Sequence, residues 1–459
     1  MAVDSQRNGL ARVRVEWILG LLVIVTVGVI LQPYRAQQGS RYALTAALVE
    51  RGTLVLDDYE QVLHLDRAVR DGHIYSDKAP GQPVLAVPFF AIGKAAGVED
   101  ATILRIDRNL GLWWVSFWSA TVPAALLVVM MYRRVRTVSD VGAVPAALAV
   151  FFGTLLLPFS ALLFGHVLTA VLLFGAFLLL VGRGSAPRLW AAGLLAGMAV
   201  TVEYSAVLGL VPLALYALWR HRRQTFVFIL GGLIPAVGLA VYNQIAFGDP
   251  FTLSYQFSAY HEVTDTARPV TDMLRTGSLG NLPRLLFEGR GLLAATPIVV
   301  IAVAGAMARL RRGIQVDAAM ALAMFGLFVL LPLFWGNPWG GDSPGARYLT
   351  PALPFLAVPL VWAWQRWRLL TFAAVAVSVV TMMVATFTDP MIGREAIGGI
   401  GIWVKKLFEG GAAETLWTMS MGAPGWLVHG LTVAAVVWLL VGRLGSKPVS
   451  SSPSEVVRT

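Results

Sequence analysis

Acidic side chains are concentrated in one short polar segment of this otherwise apolar chain, between residues 57 and 81. The same segment contains His64, His73 and Lys78. Carboxylates can act as general bases or bind divalent cations, and a lysine beside them can bind a phosphate. The segment therefore predicts a polar site with acid–base or anion-binding chemistry. Its aspartates are Asp57, Asp58, Asp66, Asp71 and Asp77.

Apolar segments recur along the whole chain and predict an all-α polytopic membrane protein. The 459 residues are 57% hydrophobic and only 14% charged, and the mean hydropathy is +0.69. A spanning helix needs about 20 apolar residues and must satisfy its own backbone hydrogen bonds. The pattern predicts about 12 transmembrane helices. Their approximate bounds are 17–32, 110–131, 142–158, 166–182, 189–203, 206–219, 225–247, 291–308, 314–335, 350–364, 369–388 and 425–442.

Basic residues mark one side of the membrane. The formal net charge is +10, and short arginine clusters alternate between the predicted spans. If these clusters face the cytoplasm, the chain obeys the positive-inside rule and both termini are cytoplasmic. The other loops are then extracytoplasmic and net acidic. The basic excess is therefore a topology signal in a multi-pass plasma-membrane protein, and nucleic acid is not an expected partner.

The domain organisation is simple. We interpret residues 1–445 as a single integral membrane domain, followed by a Ser/Pro-rich cytoplasmic tail at 446–459 that is expected to be disordered. The chain contains no cysteine, which excludes disulfides and thiolate chemistry.

Residues 33–109 are predicted to form one long extracytoplasmic loop that carries interfacial helices. The apolar stretch at 83–97 is too short to span and is broken by a proline. A first helix is expected at 41–51, with Ser40 as its N-cap and Gly52 ending it. The acidic segment lies between these two helices, beside the membrane.

Four motifs follow one another along the chain. They are Arg41-Tyr42-Ala43 with Leu48 to Gly52, Tyr75-Ser76-Asp77-Lys78-Ala79-Pro80, Ala192 to Gly197 with Val202-Glu203-Tyr204, and Gly345-Ala346-Arg347-Tyr348 running to Pro354. In type and order they resemble motifs of the type C glycosyltransferases (the GT-C superfamily). The resemblance is nearest to the family of protein O-mannosyltransferases and lipid A aminoarabinose transferases, and it covers roughly residues 15–365.

This resemblance implies a GT-C-like fold and a glycosyltransferase that uses a polyprenyl-phosphate sugar as donor. The acceptor would be a lipid, a glycan or a protein at the outer face of the plasma membrane, where membrane lipids surround the site. The reaction would be a single displacement, in which an aspartate takes the proton of the acceptor while the lipid phosphate leaves. No cofactor is required by this chemistry, although a divalent cation could take part.

Two positions depart from the family pattern. The family carries an acidic residue just before the Arg-Tyr-Ala motif, where this chain has Gln37-Gln38-Gly39-Ser40. A lysine of the third motif is replaced by Glu203. The catalytic base must therefore come from later in the same loop, or the chain is not a transferase.

Three aspartates are the candidates for the base. Asp57 is preferred, with Asp58 second, because adjacent side chains point in different directions and only one is expected to face the cavity. Asp66 could be the base itself, or could bind a divalent ion together with Asp57. The plainer interpretations are a solvated acidic turn for the first two and a surface ion pair with Arg70 for Asp66. No metal site is assigned, because the nearby histidines match no zinc-binding spacing.

Substrate-binding candidates surround these aspartates in the same loop. Lys78, held in a tight turn, fits a contact to phosphate or sugar. Asp77 could orient Lys78 or bind sugar, and Tyr75 could stack on a sugar. A lysine or tyrosine that anchors the membrane interface is the plainer interpretation.

Further candidates come from two later segments. Arg347 is the preferred partner of the lipid phosphate because a guanidinium can bind phosphate with two hydrogen bonds, and Asp342 and Tyr348 lie in the same loop. Glu203 lies at a turn between two short spans, and a carboxylate at membrane depth is usually functional or paired. His166 is interpreted as a satisfied polar residue.

Two other functions compete with the transferase. A transporter or flippase of lipid-linked or amphipathic substrates would be expected to show repeats and charges near the midplane, whereas the charges here cluster in the predicted outer loops. A non-catalytic GT-C-related protein is favoured by the missing acid before Arg41 and opposed by the abundant acid later in the loop.

Overall fold

The structure is a computed structural model that describes residues 2–98, 109–182, 184–259, 269, 279–313, 315–334, 337–393 and 396–445. For residues 2–13 and 445 only the backbone is described. The predicted tail at 446–459 therefore lies outside the described residues. The described chain is mostly helical, as the sequence predicts.

Helices follow one another along the whole described chain. In the first half they are α1 (Ala2–Val27), α2 (Ala36–Glu50), α3 (Gly81–Ala95), α4 (Leu110–Ser116), α5 (Val122–Arg136), α6 (Ala143–Phe152), α7 (Leu156–Phe159), α8 (Gly165–Val181), α9 (Ala186–Val202), α10 (Val207–His221) and α11 (Thr225–Phe247). In the second half they are α12 (Asn281–Phe287), α13 (Pro297–Leu310), α14 (Val316–Phe334), α15 (Ala357–Arg366), α16 (Arg368–Thr386), α17 (Ile400–Phe408), α18 (Leu416–Met421) and α19 (Pro424–Gly445).

Membrane-spanning segments can be assigned by length and composition. Among the described residues, 5 helical segments qualify, and they are Leu110–Arg136, Tyr204–Phe247, Val316–Phe334, Arg368–Thr386 and Pro424–Leu444. Shorter apolar helices lie at Ala143–Phe152, Gly165–Val181, Ala186–Val202 and Pro297–Leu310. The chain is therefore a membrane-embedded helical protein, and the total of about 12 spans remains a prediction.

Several of the predicted spans are not continuous α-helices. The segment at 142–158 divides into α6 and the single turn α7. The segment at 350–364 begins as a 3₁₀-helix over Arg347–Leu356 and becomes α-helical only in α15. The 3₁₀ stretch contains Pro351 and Pro354, and proline lacks the N–H that an α-helix needs in its interior.

The two helices predicted in the first outer loop are present with altered boundaries. Helix α2 begins at Ala36, so Ser40 lies inside it and is not its N-cap. Residues 37–47 are all buried, so α2 packs within the protein and does not lie on an interface. Gly52 follows its end with a φ of +64°, as the predicted termination requires. Helix α3 buries one face and exposes the other, and Pro88 lies within it.

Four short strands correct the all-α prediction. Strand β1 (Ile30–Leu31) pairs with β4 (Glu414–Thr415), and β2 (Arg67–Arg70) pairs with β3 (His73–Ser76), both antiparallel. The β2–β3 turn is Asp71-Gly72, with φ values of +50° and +76°. Positive φ at both central residues is typical of a type I′ hairpin turn, for which Asp-Gly is a favoured sequence.

A separate apolar cluster supports the segment between α1 and α4 and holds its polar residues in place. It joins α2, α3 and the β2–β3 hairpin to the C-terminal end of α11. Its larger members are Tyr42, Tyr59, Leu63, Phe90, Tyr242, Phe247 and Phe257.

Candidate active site

The β2–β3 hairpin brings Asp66 beside Lys78. Asp66 immediately precedes β2, and Asp77 and Lys78 immediately follow β3, so the pairing of Arg67 with Ser76 closes the distance between them. The Nζ of Lys78 donates to Asp66 Oδ1 at 2.5 Å and to Asp77 Oδ2 at 2.9 Å. All three charged side chains are buried. The hairpin therefore builds a buried cluster of two carboxylates and one ammonium group.

The electrostatics of this cluster keep Lys78 charged. Burial lowers the pKa of Lys78, but the neighbouring Asp66 and Asp77 raise it, and the net direction is upward. The ring of Tyr255 lies beneath the ammonium group, with 5.7 Å between Nζ and the ring centroid. An ammonium group has three N–H donors, and the two aspartates account for two of them.

Serine hydroxyls surround Asp77. Ser40 and Ser258 donate to its carboxylate, each at 3.4 Å, and Ser254 donates to its backbone carbonyl at 2.9 Å. The hydroxyls of Ser254 and Tyr204 are 3.2 Å apart. These contacts tie the 3₁₀ turn at Ser254–Phe257 to the hairpin and to the end of α9.

Arg41 and Glu203 form a second buried pair. Arg41 Nη2 donates to Glu203 Oε1 at 2.5 Å, and Nη1 reaches the carbonyl of Val202 at 3.4 Å. The two residues are 0% and 3% exposed. Glu203 sits where α9 ends and a short 3₁₀ turn begins. The Nδ1 atom of His166, at the start of α8, is 3.8 Å from the same carboxylate oxygen.

Arg347 provides a cation without an acidic partner. Its guanidinium lies 5.9 Å from the ring centroid of Phe164 and 5.7 Å from that of Tyr348. Its one hydrogen bond is to the carbonyl of Asp342 at 3.4 Å, and its Nε has no partner. Within the part of the chain that the structure describes, no carboxylate lies within ion-pair distance of Arg347.

Arg347 nevertheless belongs to the same electrostatic environment as the two buried pairs. Burial lowers its pKa, while its acidic neighbours raise it, and the net direction is upward. These neighbours are Tyr348, Tyr255, Glu203 and Asp66. The site is therefore a polar compartment assembled from several separate parts of the chain.

Comparison with solved structures identifies the fold. ArnT from Cupriavidus metallidurans bound to undecaprenyl phosphate aligns with a TM-score of 0.52 and 13% identity, covering 95% of this chain and 78% of that chain. The described chain therefore shares the fold of ArnT. The superfamily resemblance read from the motifs is thereby confirmed at the level of the fold. The archaeal oligosaccharyltransferase AglB from Archaeoglobus fulgidus, in complex with an inhibitory peptide and a dolichol-phosphate, aligns with a TM-score of 0.46 and 12% identity, covering 92% of this chain and 59% of that chain.

Comparisons by sequence find no relative. No protein-family model matches the chain, and no curated protein matches it.

The first two base candidates lie apart from the polar compartment of this GT-C fold. Asp57 is exposed and accepts hydrogen bonds from the backbone N–H of Ile74 at 2.7 Å and from His73 Nδ1 at 2.8 Å. Asp58 is exposed and forms an ion pair with Arg51. Within residues 57–77 the buried carboxylates are Asp66 and Asp77. Asp66 therefore lies in a buried environment, whereas Asp57 and Asp58 are exposed.

The suggested ion site at Asp57 and Asp66 gains no support from these environments. Asp57 is bonded to His73 and a backbone N–H, whereas Asp66 is bonded to Lys78. Among the described residues there is no group of three or more histidine, aspartate or glutamate side chains that could hold a metal ion.

The remaining substrate-binding candidates differ in how close they lie to the polar compartment. Tyr75 packs on Phe247, with ring centroids 5.6 Å apart, so its face is occupied by protein. Asp342 is exposed and touches the site through its backbone carbonyl. Tyr348 lies beside Arg347 and 6.4 Å from the ring of His166.

Gln38 occupies the place where the family pattern has an acid, and its role here is structural. Its Oε1 accepts from the backbone N–H of Leu163 at 3.0 Å, and its Nε2 donates to the carbonyl of Pro33 at 3.2 Å. The side chain therefore ties α2 to the loop that precedes α8.

Several residues of the compartment were not predicted as site residues. They are Arg41, His166, Ser254, Tyr255 and Ser258. The sequence could have indicated Arg41 as a site residue, because it lies in the first motif. The prediction that His166 is a satisfied polar residue is wrong, because neither ring nitrogen has a hydrogen-bond partner.

Proposed function

We propose that this protein is a membrane glycosyltransferase that moves a sugar from a polyprenyl-phosphate donor to a lipid, glycan or protein acceptor at the outer face of the plasma membrane. The observation that carries the proposal is that Arg347 has no acidic partner among the described residues, whereas the other described charges of the compartment are paired. Negative charge develops on the lipid phosphate as the sugar leaves, and fixed cations stabilise that charge. Arg347 can approach the phosphate without first losing a carboxylate partner.

Lys78 is the second phosphate contact in this proposal. Its third N–H donor is not used by the two aspartates, and its position in the cluster is fixed by both of them. The charge of Lys78 is therefore maintained in the buried site before the donor binds. Lys78 would stabilise the phosphate electrostatically, and its ammonium group is already fixed where the phosphate is expected.

Asp66 is the base that the geometry favours among the three candidates. A general base must lie within hydrogen-bond reach of the acceptor hydroxyl, and Asp66 shares the compartment with Lys78 whereas Asp57 and Asp58 do not. The proposed step is a single displacement at the anomeric carbon. The acceptor hydroxyl gives its proton to Asp66, its oxygen bonds to the anomeric carbon, and the carbon–phosphate oxygen bond breaks to release the polyprenyl phosphate.

A non-catalytic protein that binds polyprenyl phosphate is the second candidate. It is favoured by one observation, namely that Asp66, Asp77 and Glu203 all have cationic partners. A paired carboxylate is a weaker proton acceptor. Both candidates predict binding of polyprenyl phosphate, and only the first predicts sugar transfer.

Arg347→Gln is expected to weaken binding of undecaprenyl phosphate by at least about 10-fold, or about 1.4 kcal/mol. The reason is the loss of a charge-assisted contact that the remaining residues cannot replace. The measurement is titration of the purified protein in detergent, followed by native mass spectrometry. Arg70→Gln is the matched control, because Arg70 also lies over an aromatic ring, that of Phe257, but has Asp71 as its partner. Equal affinity for the two variants would contradict the phosphate site.

The backbone at Gly340 controls the position of Arg347. A Cβ at Gly340 would lie 2.7 Å from the ring of Tyr348 and 2.9 Å from the Nε of Arg347, and its φ is +78°. Gly340→Ala is therefore expected to displace Arg347 and to reduce affinity for undecaprenyl phosphate several-fold. Gly52→Ala is the matched control, because Gly52 has a φ of +64° and nothing within 4 Å of its Cβ position.

Both alanine variants should lose about 1–2 kcal/mol of stability from the left-handed backbone. Thermal unfolding in detergent measures that shared cost, and the binding titration measures the effect that only Gly340→Ala should show. Unchanged affinity in Gly340→Ala would remove Arg347 from the phosphate site.

A further inference from the structure

His166 is a buried polar side chain that the proposed reaction does not yet use. It is 2% exposed, and neither Nδ1 nor Nε2 has a hydrogen-bond partner. The carboxylate of Glu203 lies 3.8 Å from Nδ1, beyond hydrogen-bond distance, and it already accepts from Arg41. Burying both imidazole nitrogens without a partner costs free energy, because the hydrogen bonds to water are lost and not replaced. A phenylalanine or leucine would fill the same space without that cost.

The aromatic surroundings fix where the imidazole lies. Its ring packs against Phe159, Phe164 and Tyr348, with centroids 5.0, 5.9 and 6.4 Å away. Phe164 and Tyr348 are the same two rings over which the guanidinium of Arg347 lies. His166 and Arg347 therefore share two neighbours, and the unpaired imidazole sits beside the unpaired cation.

We propose that a ring N–H of His166 donates a hydrogen bond to the phosphate of the bound polyprenyl phosphate, beside Arg347. The inference rests on the proposed function, since it names a further contact in the same donor site. The ligand is an anionic phosphate ester, which offers several acceptor oxygens to neighbouring donors. Arg347 rests on aromatic rings and not on a carboxylate, so an entering phosphate can draw it aside without breaking an ion pair.

The neighbouring charges are consistent with this role. Three charged residues surround His166. Arg41 pairs with Glu203, which neutralises its charge, and Arg347 is the third. An anion that enters next to His166 thus meets an arginine without an acidic partner and a neutral donor. The neutral imidazole carries one N–H, which is sufficient for one bond to phosphate.

His166→Phe tests the inference in the full-length protein purified in detergent. The variant replaces an unsatisfied polar ring with an apolar ring, so its thermal unfolding midpoint should equal or exceed that of the unaltered protein. Its affinity for undecaprenyl phosphate should fall by about 10-fold. A residue with only a structural role would show the opposite pattern, with reduced stability and unchanged affinity.

His429→Phe is the matched control. His429 is 4% exposed, both of its ring nitrogens lack partners, and it packs on Phe387 and Trp426 at 5.6 Å from each ring. This variant should bind undecaprenyl phosphate as the unaltered protein does. His166→Asn, whose side-chain amide supplies N–H donors, should recover part of the lost affinity and keeps the test valid if the phenylalanine variant fails to fold.

Two further ligands identify the group that His166 contacts. Undecaprenol, which lacks the phosphate, should bind equally to the unaltered protein and to His166→Phe. Inorganic phosphate should compete with undecaprenyl phosphate less well in the variant. Equal affinity of the two proteins for undecaprenyl phosphate would overturn the inference while leaving the proposed function intact. Failure of the unaltered protein to bind undecaprenyl phosphate would overturn the proposed function.

Discussion

Asp66→Asn is expected to lower the rate of sugar transfer by about 10²- to 10⁴-fold, which is the usual contribution of a general base. Asparagine has nearly the same shape and can still accept a hydrogen bond from Lys78, but it cannot take a proton from the acceptor. Asp57→Asn should transfer sugar at close to the normal rate, because Asp57 is exposed and bonded to His73 and the N–H of Ile74.

The measurement is release of polyprenyl phosphate from polyprenyl-phosphate sugars, with cell membranes as the source of acceptor. Binding of undecaprenyl phosphate should persist in Asp66→Asn, because the phosphate contacts are made by Lys78 and Arg347. Loss of transfer with retained binding separates the base from the donor site. If Asp57→Asn abolishes transfer and Asp66→Asn does not, the assignment of Asp66 is wrong. If the unaltered protein binds the lipid but releases no product from any donor, the non-catalytic function is favoured.

The sequence predicts the membrane-embedded helices well because their signal is local. An apolar run of sufficient length specifies a spanning helix from its own composition. The non-α-helical start of the predicted span at 350–364 also has a local signal, because Pro351 and Pro354 lie in the stretch that forms a 3₁₀-helix. The buried position of α2 was not predictable in this way, because its surroundings are supplied by other parts of the chain.

The β2–β3 hairpin has a local signal in the sequence. Asp71-Gly72 is a strong signal for a hairpin turn. A hairpin around this turn places Asp66 opposite Asp77 and next to Lys78. Spacing alone does not reveal which carboxylate is buried, so it cannot distinguish Asp57 from Asp66 as the base.

The remaining contacts of the site depend on tertiary packing. Arg41 and Glu203 are separated by 162 positions in the sequence. Arg347 approaches Phe164 across a still larger separation. No periodicity or local motif specifies such contacts, because they form only when whole helices pack against each other. For the same reason, His166 could be recognised as unpaired only from the structure.

The Arg41–Glu203 pair is expected to be the most sensitive point for stability. Arg41→Met leaves the carboxylate of Glu203 buried without its cation, and breaking a buried ion pair in this way costs about 3–5 kcal/mol. Arg51→Met is the matched control, because Arg51 pairs with Asp58 on the surface, with side chains 50% and 54% exposed. Exposed pairs contribute only about 0–1 kcal/mol.

The double variant Arg41→Met with Glu203→Gln decides whether the cost comes from the unpaired charge. Removing both charges should restore most of the lost stability. Glu203→Gln removes the buried carboxylate that Arg41→Met leaves without a cation. Thermal and denaturant unfolding in detergent would measure the four proteins of this double-mutant cycle. A coupling near zero, or a cost for Arg41→Met no larger than that for Arg51→Met, would show that the pair does not stabilise the fold. A large coupling would mean that Arg41 is held by Glu203, which leaves Arg347 and the third N–H of Lys78 to contact the lipid phosphate.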